Sequence, residues 1–308
     1  MSLRKDMKVV LIGAVESTKI AFEALVNAQL SPTHVVTLPP EKAGRHSDFV
    51  DLTKPTLEIG AEIIYSNNIN DDETIRELER IAPDLCLVLG WSQICHEKFR
   101  SIARLGNLGF HPAPLPRLRG RAVIPWTILL NMKETASTLF WLEEGADTGD
   151  IIAQKFFDLT ATETARSLYD KHTAALAELI PGAVRAIIDG TVRNIAQDHT
   201  KASYCAKRTP EDGQINWTDS AANIERFIRA VGAPYPGAFT STPDDGRLWI
   251  DVAAFPNNPI EYIGIPGQIQ ARTKDGFIIL CGDYRCIEVL VWRSESQNPP
   301  GQHSVLGR

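Results

Sequence analysis

His111 closes a short apolar run, Leu105 to Phe110, and is followed at once by Pro112, Pro114 and Pro116. Imidazole can give or take a proton near neutrality. A buried strand ending on one would place it at the carboxyl edge of a sheet, where open α/β sheets bind their ligands. The alternating prolines cannot continue the strand. Each fixes φ and removes a backbone donor, so the segment leaving the strand is expected to be extended and stiff, holding His111 in place.

A chemically matched partner stands 147 − 111 = 36 positions on. Asp147 falls in Leu142-Glu-Glu-Gly-Ala-Asp-Thr-Gly-Asp150, a polar, glycine-bearing connection between two apolar, β-branched runs, Ser137–Leu142 and Ile151–Phe157. Two strand ends would then offer one imidazole and one carboxylate. Such a pair suits acyl transfer: the carboxylate sets the imidazole's tautomer and raises its basicity, and the imidazole shuttles or stabilises charge.

The elements that must position this pair follow an α/β order. Lys8–Gly13 is a buried-strand run, and after the Glu16–Ser17 turn Ile20, Phe22, Leu25 and Val26 mark an amphipathic helix. Gly13-Ala-Val-Glu-Ser lacks Gly-x-Gly-x-x-Gly, so a dinucleotide fingerprint is absent. A strand from His34 leads to the polar loop Pro39–Asp48, whose Lys42, Arg45 and His46 are either solvated or set to touch a phosphate. Helix Asp51–Gly60, strand Ala61–Tyr65 and helix Asp72–Ile81 precede an apolar strand that starts at Asp84 and ends at Gly90 and Trp91. Ile124–Leu130 reads as a helix against the sheet. Thr160-x-x-Glu163 reads as a capping box opening a helix with Leu168, Tyr169, His172, Leu176 and Ile180 on one face, His172 being a helix-face residue without chemistry. From about Lys201 the texture changes. Helix Ser220–Val231 is followed by short strands, Leu248–Ala253, Gly267–Ala271, Phe277–Cys281 and Cys286–Trp292, with glycine turns that argue a small β-barrel-like module.

Bulk properties set the class. The 308 residues, 44% hydrophobic and 23% charged, suit a soluble globular protein with one large domain and one small one. No apolar run approaches the roughly 20 residues of a membrane span, and the opening Met-Ser-Leu-Arg-Lys-Asp lacks a signal peptide's apolar core. A cytoplasmic location without a membrane partner is expected. The five cysteines are scattered without Cys-x-x-Cys pairs and read as reduced structural thiols, so no metal is expected. The net charge is −6, and from Lys201 onward 11 Lys and Arg face 12 Asp and Glu, a net of −1. That balance speaks against a nucleic-acid backbone as the main partner.

The pattern His-x-x-x-Leu-Pro-x-x-x-Gly, here His111, Leu115, Pro116 and Gly120, followed by Asp147-Thr-Gly, closely resembles the formyltransferase family. The resemblance extends over nearly the whole chain. It implies an α/β fold: a Rossmann-like, doubly wound catalytic domain over 1–200 and a smaller OB-like C-terminal domain over 201–308. It also implies formyl transfer from 10-formyltetrahydrofolate, as co-substrate, to a primary amine. His111, Asp147 and Asn107 would be the catalytic residues. Gly90, Trp91, Ser92, Gln93 and Ile94, with Leu115, Pro116, Leu142, Glu143 and Gly145, would line the folate, although by its type alone Trp91 fits ordinary packing equally well.

Arg117, Arg119 and Arg121 would hold a substrate phosphate or the folate carboxylates, or bridge to the protein's own acids. The charge balance points to a nucleotide-linked amino sugar as acceptor, with Trp217, Tyr235 and Phe239 as candidates to stack its base. Methionyl-tRNA is the alternative, an N-hydroxyornithine-type amine is a third, and a homodimer is compatible with the pattern. The family carries an asparagine two positions before the histidine, where this chain has Gly109. Asn107 would share the strand face but lies about 7 Å behind that position. Losing an oxyanion donor typically costs about 3 kcal/mol in the barrier. A folate-binding relative without transfer, or a 10-formyltetrahydrofolate hydrolase, therefore stays open.

Overall fold

The computed structural model describes residues 7–45, 48–257, 260–295 and 300–308. The roles considered for the Arg45 and His46 side chains lie outside what is described; Lys42 is exposed on a short 3-10 helix, Pro40–Arg45. The chain groups into two compact units. One takes Met1–Val123, Glu134–Asp158 and Tyr169–Ala206, the other Ile124–Lys133, Leu159–Leu168 and Lys207–Arg308. The helix read as lying against the sheet thus groups almost entirely with the C-terminal part.

The elements up to residue 206 run β1 (Val9–Ile12), α1 (Glu16–Asn27), β2 (His34–Thr37), α2 (Thr53–Glu58), β3 (Glu62–Tyr65), α3 (Asp72–Ile81), β4 (Leu85–Val88), α4 (Glu97–Arg100), β5 (Asn107–His111), β6 (Arg119–Gly120), α5 (Val123–Leu129), β7 (Glu134–Trp141), β8 (Ile151–Asp158), α6 (Ala165–Ile188) and β9 (Tyr204–Cys205). Seven strands make one sheet in the order β3-β2-β1-β4-β5-β7-β8. β1 to β5 pair in parallel, so the order reverses between β1 and β4, and the carboxyl edge there is where such sheets take ligands. Alternation along β1 sends Val9 and Leu11 to one core and Val10 and Ile12 to the other. Both faces are therefore covered, which is why these strands read as continuous apolar runs.

Two local expectations are corrected. β7 runs antiparallel to β5, pairing Trp141 with Leu108 and Thr138 with His111, so β7 ends beside the start of β5. Two adjacent strand ends do not present the pair; the connection after β7 has to double back along β5. The capping box also lies later than expected. Thr160 and Glu163 do bond each other, but α6 opens at Thr164, whose Oγ1 accepts from the Ser167 N–H while Ser167 Oγ accepts from the Thr164 N–H. His172 on that helix is buried, with Nδ1 2.9 Å from Ser137 Oγ on β7.

In the second unit α7 (Ala221–Val231) is capped by Ser220, whose side chain accepts from the Asn223 N–H. β10 (Ala238–Ser241), β11 (Arg247–Ala254), β12 (Ile269–Arg272), β13 (Phe277–Leu280) and β14 (Cys286–Ser294) form an antiparallel sheet in the order β10-β11-β14-β13-β12. The architecture is thus α/β with a parallel-dominated sheet and a separate antiparallel β domain. No helix among the described residues is long and apolar enough to cross a membrane.

Burial raises all five thiols, Cys95 and Cys281 up to about 12, so none is appreciably ionised at neutral pH. A thiol reagent at pH 8 should react slowly with native protein, Cys205 and Cys286 first, and with Cys86, Cys95 and Cys281 only on unfolding. Leu108 is fully buried in the core beneath β5. Leu108→Ala should lower the unfolding free energy by about 3 kcal/mol, read by urea titration.

Candidate active site

His111 ends β5 on the face that also carries Asn107 and Gly109, and it is 5% exposed. Its Nε2–H donates to the Leu118 carbonyl at 2.7 Å. That carbonyl turns back toward the strand because Leu118 adopts a left-handed φ of 59°, a conformation a β-carbon disfavours. The Leu118 N–H, donating to Ser203 Oγ at 2.9 Å, ties the bend down. Prolines alone do not make the loop stiff. Thr138 Oγ1 donates to the Ala113 carbonyl at 2.6 Å, and Gln154 Nε2 to the Leu115 carbonyl at 3.2 Å.

A carbonyl only accepts, so Nε2 carries a proton and Nδ1 is the nitrogen turned toward Asp147. The Leu118 carbonyl, not the carboxylate, fixes this tautomer. Asp147 Oδ2 lies 3.6 Å from Nδ1, too far for a direct hydrogen bond, and accepts from the Gly120 N–H at 2.7 Å. Gly120 needs its residue type: φ is 100°, and a β-carbon would stand 2.6 Å from the Cys205 carbonyl oxygen. Asp147 itself sits at φ 55°, with its side chain 20% exposed. The chain has thus brought together a buried imidazole and a partly exposed carboxylate, close enough that one group placed to their side could hydrogen-bond to both.

Asn107 is not brought to this pair. Its Nδ2 donates to the Arg100 carbonyl at 2.7 Å, at the end of α4, so the amide is turned toward α4. At Gly109 a β-carbon would lie 2.6 Å from Leu142 Cδ2 and 3.0 Å from the Phe140 ring. The space a side chain would need there is filled by apolar atoms from β7 and the connection after it.

The β4 end stands level with His111, since Val88 pairs with Gly109. Gly90 is pressed against the start of α1, where a β-carbon would meet Val15 Cγ2 at 2.3 Å. Gln93 ties the turn down: its Oε1 accepts from the Ile69 N–H and from Trp91 Nε1, and its Nε2 donates to the Asn67 carbonyl. Trp91 packs partly against the core, Ser92 is exposed, and Ile94 is exposed with its carbonyl taken by Asn70 Nδ2. Leu115 is buried, Pro116 and Leu142 half-buried, and Glu143 and Gly145 exposed. The first turn of α1 is closed to an anion, because Asp48 O takes the Glu16 N–H and Tyr169 OH the Ser17 N–H.

The three arginines separate. Arg117 and Arg121 are exposed, whereas Arg119 is 1% exposed and bonded to Gln197, His199 and Tyr204. Gln197, Ser203 and Tyr204 escaped the sequence reading, because an irregular polar stretch some 50 residues from Asp147 carries no local signal. In the second unit Trp217 and Phe239 are core residues: Trp217 donates to Thr240 Oγ1 at 3.0 Å, and neither can stack a base openly.

A parallel-dominated α/β sheet thus carries a histidine–aspartate pair at its carboxyl edge, an arrangement suited to proton transfer. Residues 7–184 match the family model described as formyl transferase, and residues 207–306 that of its C-terminal domain. A methionyl-tRNA formyltransferase of Akkermansia muciniphila is 31% identical, covering 90% of this chain and 88% of its own length. Another, of Desulfotalea psychrophila, is 30% identical, covering 91% and 86%. Among solved structures, an N-formyltransferase from Helicobacter canadensis in complex with folinic acid and dTDP-3-aminofucose superposes with a TM-score of 0.67 at 21% identity, covering 92% of this chain and 99% of that one. WlaRD, a sugar 3N-formyl transferase crystallised with dTDP and 5-N-formyl-THF, gives 0.67 at 20% identity, covering 96% and 100%. The chain belongs to the formyl transferase family and is a formyltransferase.

Asp147→Asn keeps an acceptor for the Gly120 N–H but removes the charge beside Nδ1. Formyl-transfer turnover should fall by about two orders of magnitude or more while the circular dichroism spectrum and melting temperature stay close to wild type. Gly109→Asn should instead lower the unfolding free energy by about 2 kcal/mol through overpacking against Leu142 and Phe140, seen as an earlier urea midpoint.

Proposed function

We propose that this formyltransferase moves the formyl group of 10-formyltetrahydrofolate to the primary amine of a nucleotide-linked amino sugar. The co-substrate supplies an activated formyl group on N10. The amine nitrogen would attack the formyl carbon, and the bond from that carbon to N10 would break. Asp147 Oδ2 and His111 Nδ1, 3.6 Å apart, would take up the proton the amine loses. His111, once protonated at Nδ1, would steady charge on the formyl oxygen and pass that proton to N10 as tetrahydrofolate leaves. The fixed Nε2–Leu118 bond keeps Nδ1 aimed at this gap without reorganisation during the step.

Charge carries the choice of acceptor. The C-terminal part has a net of −1, from 11 cationic against 12 acidic side chains, whereas a diphosphate needs only two or three cations. Arg117 and Arg121, both exposed and flanking the Leu118–Gly120 turn, are suited to that role. The Helicobacter canadensis structure holds dTDP-3-aminofucose, a nucleotide-linked amino sugar, and the WlaRD structure dTDP, a nucleoside diphosphate, which supports the reading. A second reading has its own observation: relatives at 30–31% identity over about nine-tenths of this chain are methionyl-tRNA formyltransferases.

Tetrahydrofolate release should require an aminodeoxy nucleotide sugar and be slow with methionyl-tRNA. Preference for the charged tRNA would replace the first reading with the second, and release independent of any amine would indicate a hydrolase. The double variant Arg117→Ala, Arg121→Ala should raise KM for the nucleotide sugar about tenfold at nearly constant kcat.

A further inference from the structure

Among the described residues Arg119 heads the largest fully buried side chains, and its described hydrogen-bond partners are all uncharged groups. Nη1 donates to Tyr204 OH at 3.1 Å, Nη2 donates to Gln197 Oε1 at 2.6 Å and to His199 Nδ1 at 3.0 Å, and Nε has no partner. A buried cation without a carboxylate beside it is costly, and an apolar residue of that size would pack more cheaply. Something other than packing accounts for it.

Gln197 shows what. Its Oε1 faces the guanidinium, so its Nε2 must face the other way, and both of its protons are used there. One goes to the Asp147 carbonyl at 2.9 Å and one to the Gly149 carbonyl at 2.6 Å. A flipped amide would set its oxygen against two carbonyls and its NH2 against a guanidinium, so the cation dictates the orientation. The two bonds clamp Asp147-Thr148-Gly149 at the point where Asp147 holds a left-handed φ of 55°. An L-residue with a β-carbon keeps that conformation only where its surroundings enforce it. The next residue after Arg119, Gly120, gives the Asp147 carboxylate its N–H. Main chain and carboxylate of Asp147 are thus both held from the two-residue strand β6.

We infer that Arg119 is a positioning residue that sets Asp147 opposite His111 through Gln197. The inference rests on the formyl-transfer reading of Asp147 and goes beyond it in naming what holds the carboxylate in register.

Gln197→Glu tests it. A glutamate would still pair with Arg119, so the fold should survive, but it would turn an oxygen toward the Asp147 and Gly149 carbonyls. Should that variant fold poorly, Gln197→Met removes the same two donors at similar volume. The expected result is a fall in kcat of at least about tenfold with both KM values within about threefold. In an Asp147→Asn background the same change should have almost no further effect on kcat. Hydrogen exchange of the Gly120 amide, which is bonded to the Asp147 carboxylate, should rise in either Gln197 variant. Equal losses of kcat in both backgrounds, or unchanged exchange at the Gly120 amide, would overturn the inference. If wild-type protein releases no tetrahydrofolate, the transfer reading fails, and exchange at the Gly120 amide in the Gln197 variants, and in Arg119→Met, still decides whether Arg119 and Gln197 hold the aspartate.

Discussion

The hydrogen bond from His111 Nε2 to the Leu118 carbonyl is the constraint to which the site is tied. It assigns the imidazole proton, leaves Nδ1 toward Asp147, and requires a left-handed leucine seven residues on. Sustaining that bend takes the Ser203 hydroxyl, the Thr138 and Gln154 tethers and the glycine at 120. Were the loop to relax, the imidazole could rotate or change tautomer, and preorganisation, the main contribution a protein makes to such a step, would be lost.

β7 explains why so much of the chain is recruited. Because it runs antiparallel to β5, the connection that carries Asp147 starts at the wrong end of the histidine strand. Leu142 N–H bonds the Asn107 carbonyl there, and the chain must travel back along β5 before the carboxylate reaches Nδ1. A connection that doubles back has little regular hydrogen bonding of its own. It is fixed by side chains from distant stretches, Gln197 above all. The same path lays Leu142 over Gly109 and makes that position apolar and closed.

This arrangement bears on how the reaction is supported without a side-chain amide at 109. Asn107, the nearest candidate on the same strand face, has its amide turned to Arg100, so in the proposed reaction that support would fall to His111, Asp147 and main-chain groups. Its cations divide by burial. Arg119 is enclosed and bonded to the protein's own side chains, while Arg117 and Arg121 face solvent.

Period and punctuation in the sequence carried most of the fold. α3 was legible over Asp72–Ile81 because an amphipathic stripe and its ends are local properties, and β1, β4 and β5 because strands buried on both faces are continuous apolar runs. His111 and Asp147 could be named because a strand ending on a reactive side chain, and glycine-rich polar connections, show in the order of residues. The direction of β7 could not, since alternation is the same whichever way a strand runs. Nor could the fate of three arginines on one loop: identical residues two positions apart were sorted only by what folded over them. The buried clamp on Asp147 is a tertiary fact for the same reason, because hydrogen bonds between groups some 50 to 80 residues apart leave no pattern along the chain.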